Sequence, residues 1–244
     1  VLFLSGPPFG AALFDEIQRR LGYGQAESVV DPAFPDRGWQ EYGAALAARL
    51  ARSPTVVVAH GLAVPAAIAA ARSVPPVALV LMNGPLTRID PVTAFWTRMA
   101  SAPGGAAVMR AALLRPRPWL FWLASSAGLR RAVVNPYVMD RDTVATLCAP
   151  LVAAPPGRAS VARWLASLSA LPDPRGVECP TLLLWGDADP LYPASEASFL
   201  EASSDGVTRV SVPGGQHVHP IERPWDAADR LAAWLTGQGI QPEP

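Results

Sequence analysis

Residues 55–68, Thr-Val-Val-Val-Ala-His-Gly-Leu-Ala-Val-Pro-Ala-Ala-Ile, constrain the fold of this chain more than any other stretch. Strand-forming residues run into a tight turn of small residues centred on Gly61, and an alanine-rich segment with helical character follows at once. Strand, sharp elbow and helix in direct succession belong to a sheet that is covered by helices. Three further runs, at 1–4, 77–82 and 181–185, are short, apolar and without alternation, residues 207–212 read as the last strand, and residues 28–32 read as a brief strand followed by a turn. Segments 11–21, 39–52, 194–202 and 224–235 have helical spacing; Tyr42, Leu46, Ala47 and Leu50 mark the inner face of one, and Trp225, Leu231, Trp234 and Leu235 that of the last. Strands of this kind separated by helices indicate an α/β fold with a mostly parallel, doubly wound sheet.

Between residues 85 and 177 the texture changes. Helix-length segments at 91–101, 105–115, 119–126, 141–148 and 159–170 follow one another with no convincing strand between them, and Trp96, Trp119, Phe121, Trp122, Tyr137 and Trp164 cluster there. Proline pairs at 155–156 and 172–174 punctuate this region, marking an internal turn and its exit. The expected organisation is a core of residues 1–84 and 178–244 carrying a helical cap of residues 85–177 over the sheet.

With 244 residues, half of them hydrophobic and 16% charged, the chain is long enough for one large domain with an insertion and is unlike a disordered protein. A net charge of zero argues against nucleic acid and against an anionic membrane as partners. All 20 basic residues are Arg, which excludes a catalytic lysine or Schiff base. Cys148 and Cys179 have neither metal-ligand nor redox spacing, and the three histidines form no His-x-x-x-His pair, so neither a metal nor another cofactor is expected. The opening apolar run is too short for a signal peptide, and no stretch reaches the roughly 20 apolar residues of a spanning helix. These features point to a cytoplasmic protein with a small-molecule substrate; they leave the oligomeric state open.

An ordered set of motifs then makes the chain resemble the α/β-hydrolase fold family over nearly its whole length. The set is a Gly-Pro loop (Gly6-Pro7) after the first strand, the elbow, the helical insertion, a Gly-x-x-Asp loop from Gly186 to Asp189, and a Pro-Gly-x-x-His loop from Pro213 to His217 before the final helix. By this resemblance the chain's first strand matches the family's third. The family carries nucleophile, acid and histidine in that order, so Asp189 is similar to its acid and His217 to its base. The elbow places Gly61 at the nucleophile position, where it offers no hydroxyl. Of the two oxyanion donors, one falls on the Leu62 N–H and the other on Pro7, which has none. Ser5 stands where many relatives have His, and Ala63 where they have Gly, so the divergence is spread over the site rather than confined to one residue.

Glycine at a strained elbow relieves the positive-φ cost and leaves room beside His217. The expectation is therefore an enzyme without a serine nucleophile. Its His217–Asp189 dyad would act as general base on a small, largely apolar substrate, in lyase, isomerase or cyclase chemistry or in direct hydrolysis by water. The alternative is an inactive ligand-binding pseudoenzyme of the same fold. Trp96, Trp119, Trp122, Asn83 and Ser5 are the expected pocket residues, with Gly6, Pro7 and Leu62 contributing backbone. His60 reads as structural, Asp187 as a solvated loop acid, and His219 is assigned no role.

Overall fold

The computed structural model describes residues 1–29, 37–113, 115–153 and 155–240. Runs that lack alternation become strands covered on both faces. Strands β1 (Leu2–Ser5), β3 (Val56–His60), β4 (Ala78–Met82) and β5 (Thr181–Gly186) are buried at every residue, while β2 (Gln25–Ser28) and β6 (Val207–Val212) are partly exposed. The six strands pair in the order β2-β1-β3-β4-β5-β6, and every pair is parallel. The two-residue period of a strand then divides the apolar side chains between two cores. Leu4, Val57, Ala59, Leu81 and Leu183 face α2 (Trp39–Arg52), α3 (Val64–Ser73) and α9 (Ala194–Ser203). Phe3, Val58, Val80, Leu182 and Leu184 face α1 (Asp15–Leu21) and α11 (Pro224–Gly237).

Helices α4 (Pro91–Ser101), α5 (Gly105–Leu113), α6 (Pro116–Leu123), α7 (Arg141–Ala153) and α8 (Pro155–Ser167) are inserted between β4 and β5. Among the described residues this insertion contains no strand, and it has a small core of its own in Ala100, Met109, Leu113 and Ala162. Two indole N–H groups tie it to the sheet side. Trp164 Nε1 donates to the Leu62 carbonyl at 3.0 Å, and Trp39 Nε1 donates to the Ser167 carbonyl at 2.7 Å.

Several local expectations are corrected. Segment 11–21 splits into a 3₁₀ turn (Ala11–Phe14) and α1, and the strand expected at residues 28–32 lies earlier, at Gln25–Ser28, with residues 30–32 outside the described ones. Helix α6 starts at Pro116, since a proline in the first turn forfeits no helical hydrogen bond. Trp225 is not an inner-face residue: it is 66% exposed. At 100° per residue it lies roughly 120° round α11 from the stripe formed by Ala227, Ala228, Leu231, Trp234 and Leu235.

Backbone meets backbone around the elbow. A Cβ on Gly6 would lie 2.3 Å from the Ala63 nitrogen, and one on Gly84 would lie 2.4 Å from the Gly61 carbonyl oxygen and 2.5 Å from Val64 Cγ2. Neither obstruction is a flexible side-chain end that could swing aside. Gly6→Ala and Gly84→Ala are each expected to lower the unfolding free energy by about 3 kcal/mol in urea titrations. Gly237→Ala, where nothing lies within 4 Å, should leave it unchanged or slightly raised.

Candidate active site

Strand β3 ends at His60, and the chain turns through Gly61–Ala63 directly into α3. Gly61 sits at φ +57°, in the left-handed region that glycine enters without strain. A Cβ built there would be 3.6 Å from His217 Nε2 and 3.7 Å from Cε1, which is ordinary van der Waals contact. The imidazole thus faces the elbow across a gap about one side chain deep.

His217 reaches this point because the loops after β5 and β6 lie against each other. A Cβ on Gly186 would fall 2.5 Å from the Gly215 carbonyl oxygen; Ala188 N donates to that same oxygen at 3.0 Å. Asp187, on the exposed side, accepts the Gly214 N–H at 2.7 Å and so holds the second loop to the first. Within the loops, His217 Nδ1 and Asp189 Oδ2 are 3.1 Å apart and both residues are buried. A carboxylate only accepts, so Nδ1 carries the proton and Nε2 is left as the acceptor facing the elbow. Asp189 Oδ2 also accepts from Asn83 Nδ2 at 2.6 Å, and Oδ1 from Leu191 N at 2.7 Å. Burial is the largest single influence on this carboxyl and opposes its charge. His217, the Leu191 N–H and Asn83 together outweigh it and hold Asp189 below the usual carboxylate range.

Asn83, expected to reach ligand, does not line the cavity. Its Oδ1 accepts Gly186 N at 2.8 Å while Nδ2 holds Asp189, so both ends of the amide are engaged, and its φ of +36° is one of the few left-handed placements asparagine tolerates. Ser5 is also displaced from the expected pocket: it is buried, with Oγ 3.3 Å from the carbonyl oxygens of Phe9 and Glu27. Gly6 N donates to the His60 carbonyl at 3.3 Å, Phe9 N to Gly6 O at 3.0 Å, and Gly10 N to Leu147 O at 2.7 Å. Pro7 and Pro8 have no N–H. Every N–H of the 6–10 loop is therefore either missing or already bonded.

Between the elbow and the inserted helices lies a cavity of about 140 Å³. Pro7, Pro8, Leu62 and His217 line it from the sheet side, and Trp96, Trp119, Trp122, Met109 and Leu113 from the insertion. The three indoles pack on one another with ring centroids 4.9 to 5.9 Å apart. Cys148 also borders it, its thiol pushed up to about 12 by burial and so protonated near neutrality. Sequence reasoning missed a polar group on the same wall, made of Asp90, Thr93, Arg131 and Tyr192. Asp90 caps α4 through Oδ1, which accepts from Val92 N at 3.0 Å and Thr93 N at 3.3 Å, and Arg131 Nη2 donates to the same oxygen at 3.2 Å. Tyr192 OH lies 3.4 Å from Oδ2, and its ring is 5.5 Å from the His217 ring. Burial, and then the Asp90 charge, raise the phenol well above its usual value. The Asp90-Pro91 pair is a readable helix-start signal, but nothing in the sequence connects it with Tyr192.

His60 and His219 stand behind His217. His60 Nε2 donates to the His217 carbonyl at 2.8 Å, with the two rings 4.9 Å apart, and His60 does not line the cavity. His219 Nδ1 donates to the Gln216 carbonyl at 3.3 Å. The remaining nitrogens, His60 Nδ1 and His219 Nε2, are buried without a hydrogen-bond partner, so a second proton on either ring would have no acceptor. Burial accordingly holds His60 well below its usual value and His219 at about 4. With folded values depressed, both rings stay neutral in the fold but take up protons in the unfolded chain below about pH 6.5. Their contribution is complete above that pH and is lost progressively as pH falls, towards about 4 for His219 and towards its own depressed value for His60, at about 1.4 kcal/mol per pH unit for each ring. Asp189, also depressed, loses its own contribution only as pH falls further, through its folded value. Chemical denaturation is expected to show a fold about 4 kcal/mol less stable at pH 5 than at pH 7.5; His219→Gln should roughly halve that difference.

With this geometry in hand, comparison with known proteins places the chain. Residues 1–233 match the model of the alpha/beta hydrolase family, and the chain belongs to that family. A comparison with curated proteins finds no match. Among solved structures it is similar to a thermophilic esterase from Thermogutta terrifontis (18% identity, 97% of this chain and 89% of that one, TM-score 0.70). It is also similar to the haloalkane dehalogenase DatA from Agrobacterium tumefaciens C58 (18%, 97% and 88%, TM-score 0.71) and to Cfl2 from Burkholderia cenocepacia (19%, 96% and 86%, TM-score 0.67). At these identities the likeness is one of fold.

Proposed function

We propose that this α/β-hydrolase family member is an enzyme that works without a covalent serine intermediate. In this reading the helical insertion caps the pocket, and His217, held by Asp189, is the general base for a small, largely apolar organic substrate. The observation that carries the reading is the approach of His217 Nε2 to the elbow. It faces the Cβ direction of Gly61 at 3.6 Å, where a nucleophile's side chain would stand, and opens on the apolar cavity. An imidazole whose Nδ1–H is fixed on a carboxylate is a competent base near neutral pH. Nε2 would take a proton from a substrate C–H or O–H, or from a water attacking the substrate, and return it to the product. Asp189 stabilises the imidazolium in between. The asymmetry of the wall supports an apolar substrate, since aromatic and aliphatic groups supply most of the lining.

The oxyanion side supports a route other than acyl transfer. The Leu62 N–H follows Gly61, but the 6–10 loop has no free N–H to join it. Loss of one such donor typically costs about 2.7–4 kcal/mol of transition-state stabilisation.

Two measurements test the reading. In a screen of small apolar hydroxy, carbonyl and ester compounds, the parent chain should convert at least one, and His217→Ala should cut that rate by at least about 100-fold while ligand binding under the insertion persists. Undiminished turnover by His217→Ala removes the histidine from the chemistry, and saturable binding with no product from any compound favours the pseudoenzyme. Separately, Gly61→Ser should give little burst on activated short-chain esters; a large stoichiometric burst would show that the oxyanion site is complete after all.

A further inference from the structure

The zero net charge of the chain is the sum of two opposed segments. Residues 85–177 hold 11 Arg against 4 Asp and Glu, and residues 178–244 hold 3 Arg against 10. The bias is sharpest over residues 91–139, a run of 49 residues with six Arg and no carboxylate. Among the described residues, five of the eight exposed large hydrophobic side chains fall in the same run: Phe95, Val108, Phe121, Val134 and Tyr137. Positive charge and apolar surface are thus concentrated on one part of the chain, contrary to what the whole-chain average suggests.

Helices α4, α5 and α6 present both features outward. In α4 the exposed Pro91, Phe95 and Arg98 recur at helical spacing, and in α6 the exposed Arg117, Pro118 and Phe121 do the same. In α5 the exposed Val108 and Arg110 alternate with the buried Met109. The inner residues of the same helices, Trp96, Met109 and Trp119, line the cavity, so the helices form a layer with one side on the pocket and the other in solvent. Among the described residues, none of Arg98, Arg110, Arg115 and Arg117 is in an ion pair. Arg141, at the start of α7, stacks over the Phe121 ring at 4.8 Å, and Asp140 and Asp142 stand beside it as the nearest carboxylates in sequence.

We propose that the outer face of α4, α5 and α6 docks on an anionic lipid bilayer. Guanidinium groups interleaved with exposed aromatic and aliphatic tips suit an interface that offers phosphate at one depth and hydrocarbon just below it. The acidic segment of a second copy is a poorer complement. Much of it is already committed, with Glu196 paired to Arg88, Glu201 to Arg209, Asp226 to Arg230 and Asp229 to Arg20, and its exposed large apolar side chains, Phe199 and Trp225, stand on α9 and α11, which cover opposite faces of the sheet. Docking is peripheral: among the described residues no helix is long and apolar enough to cross a membrane.

The test is flotation of the full chain with vesicles of phosphatidylcholine alone or with about one-third phosphatidylglycerol. Binding should be at least about tenfold stronger to the anionic vesicles and should weaken as salt is raised. Arg110→Gln with Arg117→Gln, and separately Val108→Ser with Phe121→Ser, should each reduce it about tenfold, with unchanged circular dichroism and thermal unfolding showing that these surface variants fold. His217→Ala should bind vesicles as the parent chain does, so docking and turnover fail or succeed separately. Equal binding to the two vesicle types, or anionic binding that both variant pairs leave intact, overturns the proposal. So does self-association on light scattering that the same substitutions abolish in a chain that ignores vesicles, a result that assigns the face to a second copy.

Discussion

Close contact of bare backbone at the elbow is the constraint on which the rest of the structure depends. Loops converge on residues 61–64, and at two points of contact there is no room for a side chain, Gly6 against Ala63 and Gly84 against Gly61 and Val64, while Gly61 itself is set by its positive φ. This crowding fixes the carboxyl ends of β1, β3 and β4 to one another. The β1 loop then has nowhere to direct its N–H groups except back into the protein, and Asn83, on the β4 side, is left beside Asp189. The arrangement around His217 follows from packing of main chain before any side chain is considered.

Two buried carboxylates border the region and serve different ends. Asp189 is surrounded by donors from three directions, which keep it charged and its partner imidazole in one tautomer. Asp90 spends its lone pairs on the first turn of α4, on Arg131 and on Tyr192, and so fastens the insertion to the loop after β5. One organises the point where a proton could move; the other organises the wall opposite.

The sheet was legible in the sequence because its signals are local: non-alternating apolar runs, helices between them, and a turn of small residues. Asp189 and His217 were singled out because the order of their loops resembles that of the α/β-hydrolase family, and the fold brings the two within 3.1 Å. What escaped depends on contacts between distant residues. Asn83 reads as a strand-end amide free for a ligand, and only the fold shows it consumed by residues more than a hundred positions away. Tyr192 and Arg131 carry no pattern that could pair them with Asp90. Trp225 was misplaced by composition, since a tryptophan near a helix suggests a core, while the phase of α11 turns it outward. Averaging hid the charge in a similar way, because neutrality of the whole chain conceals where its arginines lie.

The bond from Trp164 to the Leu62 carbonyl gives the insertion a foothold in the turn itself. Helix α8 therefore hangs from the same peptide segment that sets the distance between Gly61 and His217. Any displacement of α8 away from the sheet must strain or release that indole bond, and the turn carries the strain. The seating of the insertion and the shape of the turn are in this way mechanically coupled, and a load on one is felt in the other.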